Sequence, residues 1–153
     1  MDINKPSTRQ IGGQAKNLVA GILREFGLST YIPQGAMSVI IAKINNPDRT
    51  FSVRVKSRSS GDWQISIKEG RSEDAEIVDN EYWVLVDFKS SFGAPGYYVM
   101  PGKWLRRNIY VEHREYLRSH GGVRPITPNS THHKMTLQTI KEWKDRWDLI
   151  TKA

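Results

Sequence analysis

The chain contains no cysteine, which excludes disulfides and cysteine-ligated zinc sites without fixing the compartment. No apolar run approaches the roughly 20 residues that a membrane-spanning helix needs. The opening stretch, Met1-Asp2-Ile3-Asn4-Lys5-Pro6, lacks the apolar core of a secretory signal, so cytoplasm is the expected location. There is no internal repeat and no low-complexity segment. No Ser-His-Asp order or nucleotide fingerprint is present, and Gly12-Gly13 at a helix start is too little for a phosphate loop. Acid is also scarce, with 16 Asp and Glu against 23 Lys and Arg, a net charge of +7. A positive field of that size favours polyanions, chiefly nucleic acid.

With 153 residues the chain suits one domain, residues 1–153, preceded by a loose polar lead-in over residues 1–9. From Ile11 to Phe26 the apolar residues Ile11, Ala15, Leu18, Val19, Ile22, Leu23 and Phe26 fall on one helix face, and Gly27 suits the stop. Met37 to Ile44 reads as a largely buried strand. Asn45 to Thr50 has turn chemistry and leads into Phe51-Ser52-Val53-Arg54-Val55-Lys56-Ser57, which alternates as a half-buried strand does. Asp62 to Lys68 alternates again, so three antiparallel strands in a meander are expected. Glu69 to Glu81 reads as a surface connection. Tyr82 to Phe88 suits a central strand and Tyr97 to Met100 a shorter one. Lys103 to Asn108 and Tyr110 to Ser119 read as two short helices, Gly121 to His133 as a loop, and Met135 to Leu149 as a closing helix. The fold class is α/β (α+β), with a mixed central sheet flanked by helices.

Several motifs then fall in a particular order: Gly12-Gly13-Gln14-Ala15-Lys16; Gly35 with Ser38-Val39-Ile40-Ile41-Ala42; Val53-Arg54-Val55-Lys56; Tyr97-Tyr98-Val99-Met100-Pro101; and Trp143-Lys144-Asp145-Arg146-Trp147-Asp148-Leu149. Their order and spacing resemble the PD-(D/E)XK nuclease superfamily, of restriction-endonuclease-like fold, and more narrowly its small bacterial members. The resemblance spans nearly the whole chain from Ile11. In that family a helix Glu, a strand Asp and the acid of a (Glu/Gln)-x-Lys strand surround a divalent metal, usually magnesium, which activates water and offsets phosphate charge. The resemblance puts Lys16, Ser38 and Arg54 at those three positions, and only Lys56 matches. Cations at Lys16, Arg54 and Lys56 repel Mg²⁺ and attract phosphate. The implied protein is a pseudo-nuclease without metal or other cofactor. It is expected to bind nucleic acid, DNA above all, through Lys16, Ser38, Arg54, Lys56, Arg58 and Lys68.

Two alternatives stay open. An active Mg²⁺-dependent endonuclease would use a displaced acid, such as Asp48 or Asp62, beside a catalytic Lys56. A protein-interaction or inhibitor module, with a homodimer among the assemblies it would allow, would keep the pocket as a relic. Asp48 lies in a turn whose composition calls for Asp in any case. His113, His120, His132 and His133 match no zinc spacing and read as surface residues. Most of the aromatics fall on apolar phases. Trp104, among Lys103, Arg106 and Arg107, is the exception, and either touches a base or packs a short helix to the sheet.

Overall fold

The computed structural model describes residues 7–35, 39–44, 49–72, 80–89, 93–119, 121 and 132–152. Helix α1 spans Thr8–Glu25. Its start is a capping box: the Gln10 N–H donates to Ser7 Oγ (3.2 Å) and the Ser7 N–H donates to Gln10 Oε1 (2.7 Å). Its end uses Gly27 at φ 93°, with the Gly27 N–H bonding Arg24 O and the Leu28 N–H bonding Leu23 O. That arrangement needs a residue free to adopt the left-handed conformation.

Strands β1 (Ser29–Tyr31), β2 (Val39–Ile44) and β3 (Arg49–Arg58) follow, then β4 (Trp63–Ser66) and a 3₁₀ turn at Ile67–Glu69. Strands β5 (Glu81–Asp87) and β6 (Gly96–Pro101) lead into helix α2 (Gly102–Ser119). The chain closes with β7 (His132–Met135), α3 (Leu137–Ile140), a 3₁₀ turn at Lys141–Trp143 and α4 (Asp148–Thr151). The main sheet runs β1-β2-β3-β5-β6 and is antiparallel except for the parallel β3–β5 pair. It is therefore mixed and begins with a three-strand meander after an N-terminal helix.

The meander is built from other strands than expected. Residues 62–68 do not supply its third strand. β2 and β5 already occupy the two edges of β3, so β4 pairs instead with β7 in a separate two-stranded sheet. The meander's first strand is β1. Two further expectations are corrected. The two short helices are one continuous α2, whose Leu105 and Ile109 share a buried face across the expected break. The expected closing helix, Met135 to Leu149, is instead the last residue of β7, α3, a 3₁₀ turn and the start of α4, and the expected loop from Gly121 to His133 ends inside β7. Asp145 has φ 53°, its N–H donates to Tyr97 O at 2.9 Å, and Lys144 bridges Tyr98, so the backbone here leaves the helix to protect the edge of β6.

The sheet has a core on each side. One joins Ala15, Val19 and Leu23 of α1 to Ile40, Phe51, Val53, Val55, Val84 and Val86, with Trp147 and Ile150 from the C-terminal segment. The other joins Trp83, Leu85 and Met100 to Leu105 and Ile109 of α2, Trp63 and Ile65 of β4, and Met135 and Ile140. The second core covers only the β5–β6 half of its face. The β1–β3 half carries the alternate side chains Ser29 and Tyr31, Val39, Ile41 and Lys43, and Thr50, Ser52, Arg54 and Lys56. All nine are half-buried or exposed. Among the described residues, no helix is long and apolar enough to cross a membrane.

Candidate nucleic-acid interface

Alternation along β3 sends Phe51, Val53 and Val55 into the α1 core, and Arg54, Lys56 and Arg58 to the opposite face. What each cation meets there is set by the parallel neighbour. Arg54 lies beside Trp83, Lys56 beside Leu85 and Arg58 beside Asp87.

Arg54 lies over the Trp83 ring, its Cζ 4.7 Å from the centroid, a cation–π contact. Its Nη2 reaches Glu69 Oε1 at 3.4 Å, and its Nε is buried with no hydrogen-bond partner among the described residues. The same Glu69 receives a much shorter bond from Arg106 Nη1 at 2.6 Å, and Arg106 holds Glu81 with Nη2 at 2.9 Å. Glu81 also accepts from Trp83 Nε1. It lies so close to Gly102 that a Cβ there would sit 2.9 Å from Glu81 Cγ, so any larger residue at the start of α2 would push Glu81 out of place. Burial raises the Glu69 carboxyl pKa, but the Arg106 hydrogen bond and the charges of Arg54 and Arg106 outweigh it and hold Glu69 below its ordinary value. Two cations and two carboxylates thus form a chain in which Arg54 is the loosely held end. Sequence reading missed Glu69, Glu81 and Arg106, which are 15 to 52 residues from Arg54 and carry no local signature.

Lys56 is half-buried and has no ion-pair partner among the described residues. Arg58 is a correction: expected on the basic face, it is 8% exposed and inside the fold. Its Nε and Nη2 donate to both Asp87 oxygens at 3.0 and 2.9 Å, its Nη1 donates to Gly61 O at 3.0 Å, and it lies 4.1 Å over the Trp63 ring. Its nitrogens are bonded to Asp87 and Gly61 and one face lies on Trp63, so the guanidinium is spent within the fold and offers little to a phosphate. Lys16 stands on α1, against the other face of the sheet, so it shares no face with Arg54 and Lys56 and the expected three-cation pocket does not form. Lys68 is exposed, in the 3₁₀ turn and not in a strand; its carbonyl accepts from Arg71 Nη1 at 2.6 Å. Ser38 and Asp48 lie outside the described residues. Asp62 sits 3.8 Å from Arg58 Nη1.

His133 is a second correction: it is not a free surface histidine, since its side chain is 13% exposed and Nε2 faces Glu112 Oε2 at 2.8 Å, an ion pair when the imidazole is protonated. Trp104 packs edge-on to Trp143, centroids 5.2 Å apart, against the second core. Among the described residues, no three His, Cys, Asp or Glu side chains gather to hold a metal ion.

No protein-family model matches the chain, and no curated protein matches it. Among solved structures it is similar to a bacterial homing endonuclease, I-Ssp6803I, at 13% identity and a TM-score of 0.53, over 96% of this chain and 95% of that one. At that identity the likeness is one of fold: an α-helix, a mostly antiparallel five-strand sheet and flanking helices in a nuclease-like α/β arrangement.

Proposed function

We propose that this chain is a degenerate nuclease of PD-(D/E)XK type that binds nucleic acid, DNA in the first instance, through the β3 face without cutting it. The reading rests on Arg54, which stands where the resemblance calls for a metal-binding acid. It is fixed over Trp83 beside Lys56, with a buried Nε that has no hydrogen-bond partner among the described residues. Arg54 at a ligand position, with Glu69 and Glu81 both tied to Arg106, makes a donor set that does not suit a divalent cation. The same groups suit a phosphate oxygen, which accepts hydrogen bonds and carries negative charge. The likeness to a homing endonuclease supports a nucleic-acid ligand.

Filter binding of a DNA duplex and of a single-stranded oligonucleotide across a salt series tests the reading. Affinity should fall linearly in log–log form as salt rises. No affinity for either, or affinity indifferent to salt, overturns it. Plasmid incubated with Mg²⁺ or Mn²⁺ should stay intact; cleavage that a Lys56→Ala control abolishes would make the protein an active nuclease instead.

A further inference from the structure

The half of the sheet that the second core leaves open, among the described residues, extends beyond Arg54 and Lys56. Its outermost strand ends in Tyr31, which is 65% exposed, the most of any large hydrophobic side chain among the described residues. The register fixes its face. Tyr31 pairs with Ile41 and Ile41 with Ser52, so Tyr31 shares a surface with Ser52, Arg54 and Lys56. Thr30, the intervening residue, points back and accepts from Arg24 of α1 at 3.0 Å. Lys43 is also on this surface, exposed, and pairs with Ser29 and Thr50. From strand spacing, Lys43 lies about 8 Å and Arg54 about 12 Å from Tyr31. The nine side chains of this half-face include three cations and no carboxylate, and Glu69 of the 3₁₀ turn reaches one of the three, Arg54, at 3.4 Å. An aromatic ring is thus held in water by a strand, with half-buried Val39 and Ile41 beside it and positive charge on either side.

We infer that this surface is a stacking platform for single-stranded nucleic acid, in which Tyr31 receives the face of an unpaired base while Lys43, Arg54 and Lys56 contact the phosphates. The inference rests on the proposed nucleic-acid binding and specifies its substrate class. A duplex offers such a surface only phosphates and groove edges. An unpaired base offers a π-face, and aromatic stacking with cationic tracking of the backbone is how open sheet faces hold single strands. The charge also argues against a second copy of the chain as occupant, since two such faces would oppose three cations to three.

The test is fluorescence-anisotropy titration of the full chain with a labelled mixed-sequence DNA 20-mer, single-stranded and as a duplex, at fixed salt. A parallel titration uses 2-aminopurine in the strand to report stacking. The wild type should bind the single strand more tightly than the duplex and quench 2-aminopurine. Tyr31→Ala should lose about 10- to 100-fold in single-strand affinity, leave duplex binding unchanged and abolish the quench, while Tyr31→Phe keeps both. If Tyr31→Ala binds the single strand like the wild type while Lys56→Gln binds it more weakly, the platform is overturned and nucleic-acid binding survives. If neither nucleic acid binds, both readings fall. A wild-type dimer that Tyr31→Ala breaks in sedimentation assigns the ring to self-association and overturns the inference.

Discussion

Arg54 and Arg58 share strand, face and side chain, four residues and about 13 Å apart, yet they serve different ends. β5 sets Asp87 beside Arg58 and Trp83 beside Arg54. Arg58 therefore becomes half of a bidentate buried pair, roofed by Trp63, and ties together β3, β5 and the turn into β4. Arg54 becomes a partly exposed cation on an aromatic ring, and its ion pair among the described residues is a long one, 3.4 Å to Glu69. A basic strand in a nuclease-like fold is thus not uniformly a binding surface. The cross-strand neighbour decides which cations are structure and which remain able to meet a ligand.

The largest effect comes from breaking the structural end. Arg58→Ala leaves the Asp87 carboxylate buried without its partner, which costs about 3–5 kcal/mol in other proteins. Urea unfolding should show that loss. The double substitution Arg58→Met with Asp87→Leu should recover much of it, because it removes both charges together. Equal loss in single and double variants would mean that the contribution is packing over Trp63 and not the ion pair.

Acid should break the same end more gently. Burial raises the Asp87 carboxyl pKa, but hydrogen bonds from Arg58 and the Lys89 N–H, with the charge of Arg58, more than reverse it and hold the carboxyl below the ordinary aspartate value. A folded-state pKa below the unfolded one means stability that is complete above the unfolded value, about 3.9, and lost as pH falls below it. Glu69 shifts in the same direction and adds to the trend. Thermal midpoints measured from pH 6 down to pH 2 should therefore drop most steeply below about pH 4, and Asp87→Asn, already destabilised, should show a shallower drop.

These two arginines show what the sequence made legible. Alternation over residues 51–57 places Arg54 and Lys56 on one face, and helix periodicity with Gly27 locates α1, because both signals are local. Strand partners are not local. The Trp63–Ile65 alternation announces a strand but cannot say that its partner is His132–Met135, nor can Arg58 announce Asp87, 29 residues on. The C-terminal stretch fails for the same reason. Leu137, Ile140, Trp143 and Trp147 keep helical spacing, yet Asp145 turns to bond Tyr97. In the candidate site, Arg54 and Lys56 were legible from type and phase. Tyr31 was overlooked because a three-residue edge strand carries too little period to read.

The binding end should respond to charge removal by lesser amounts. Arg54→Gln and Lys56→Gln should each weaken single-strand and duplex binding, and each should reduce the salt slope by about one. Their effect on stability should stay near the 0–1 kcal/mol of partly exposed pairs. The double substitution Arg58→Met with Asp87→Leu sharpens the contrast: it removes the cation without changing the net charge, and if it leaves the salt slope unchanged, Arg58 contributes no phosphate contact.

The smallest expected effect is the most discriminating. Glu69 is shared, gripped by Arg106 at 2.6 Å and touched by Arg54 at only 3.4 Å. A phosphate approaching Arg54 competes with that carboxylate for the same guanidinium. Glu69→Gln keeps the shape and a weak acceptor while removing the competing charge. Affinity for the single strand should therefore rise, by a few-fold at low salt and less as salt screens the pair. The gain should vanish in the Arg54→Gln background, because the competition acts through that one side chain. An equal gain in both backgrounds would trace it to the overall change in net charge. Unchanged or weakened binding would mean that Glu69 positions Arg54, and the loose end of the network would then be as structural as Arg58.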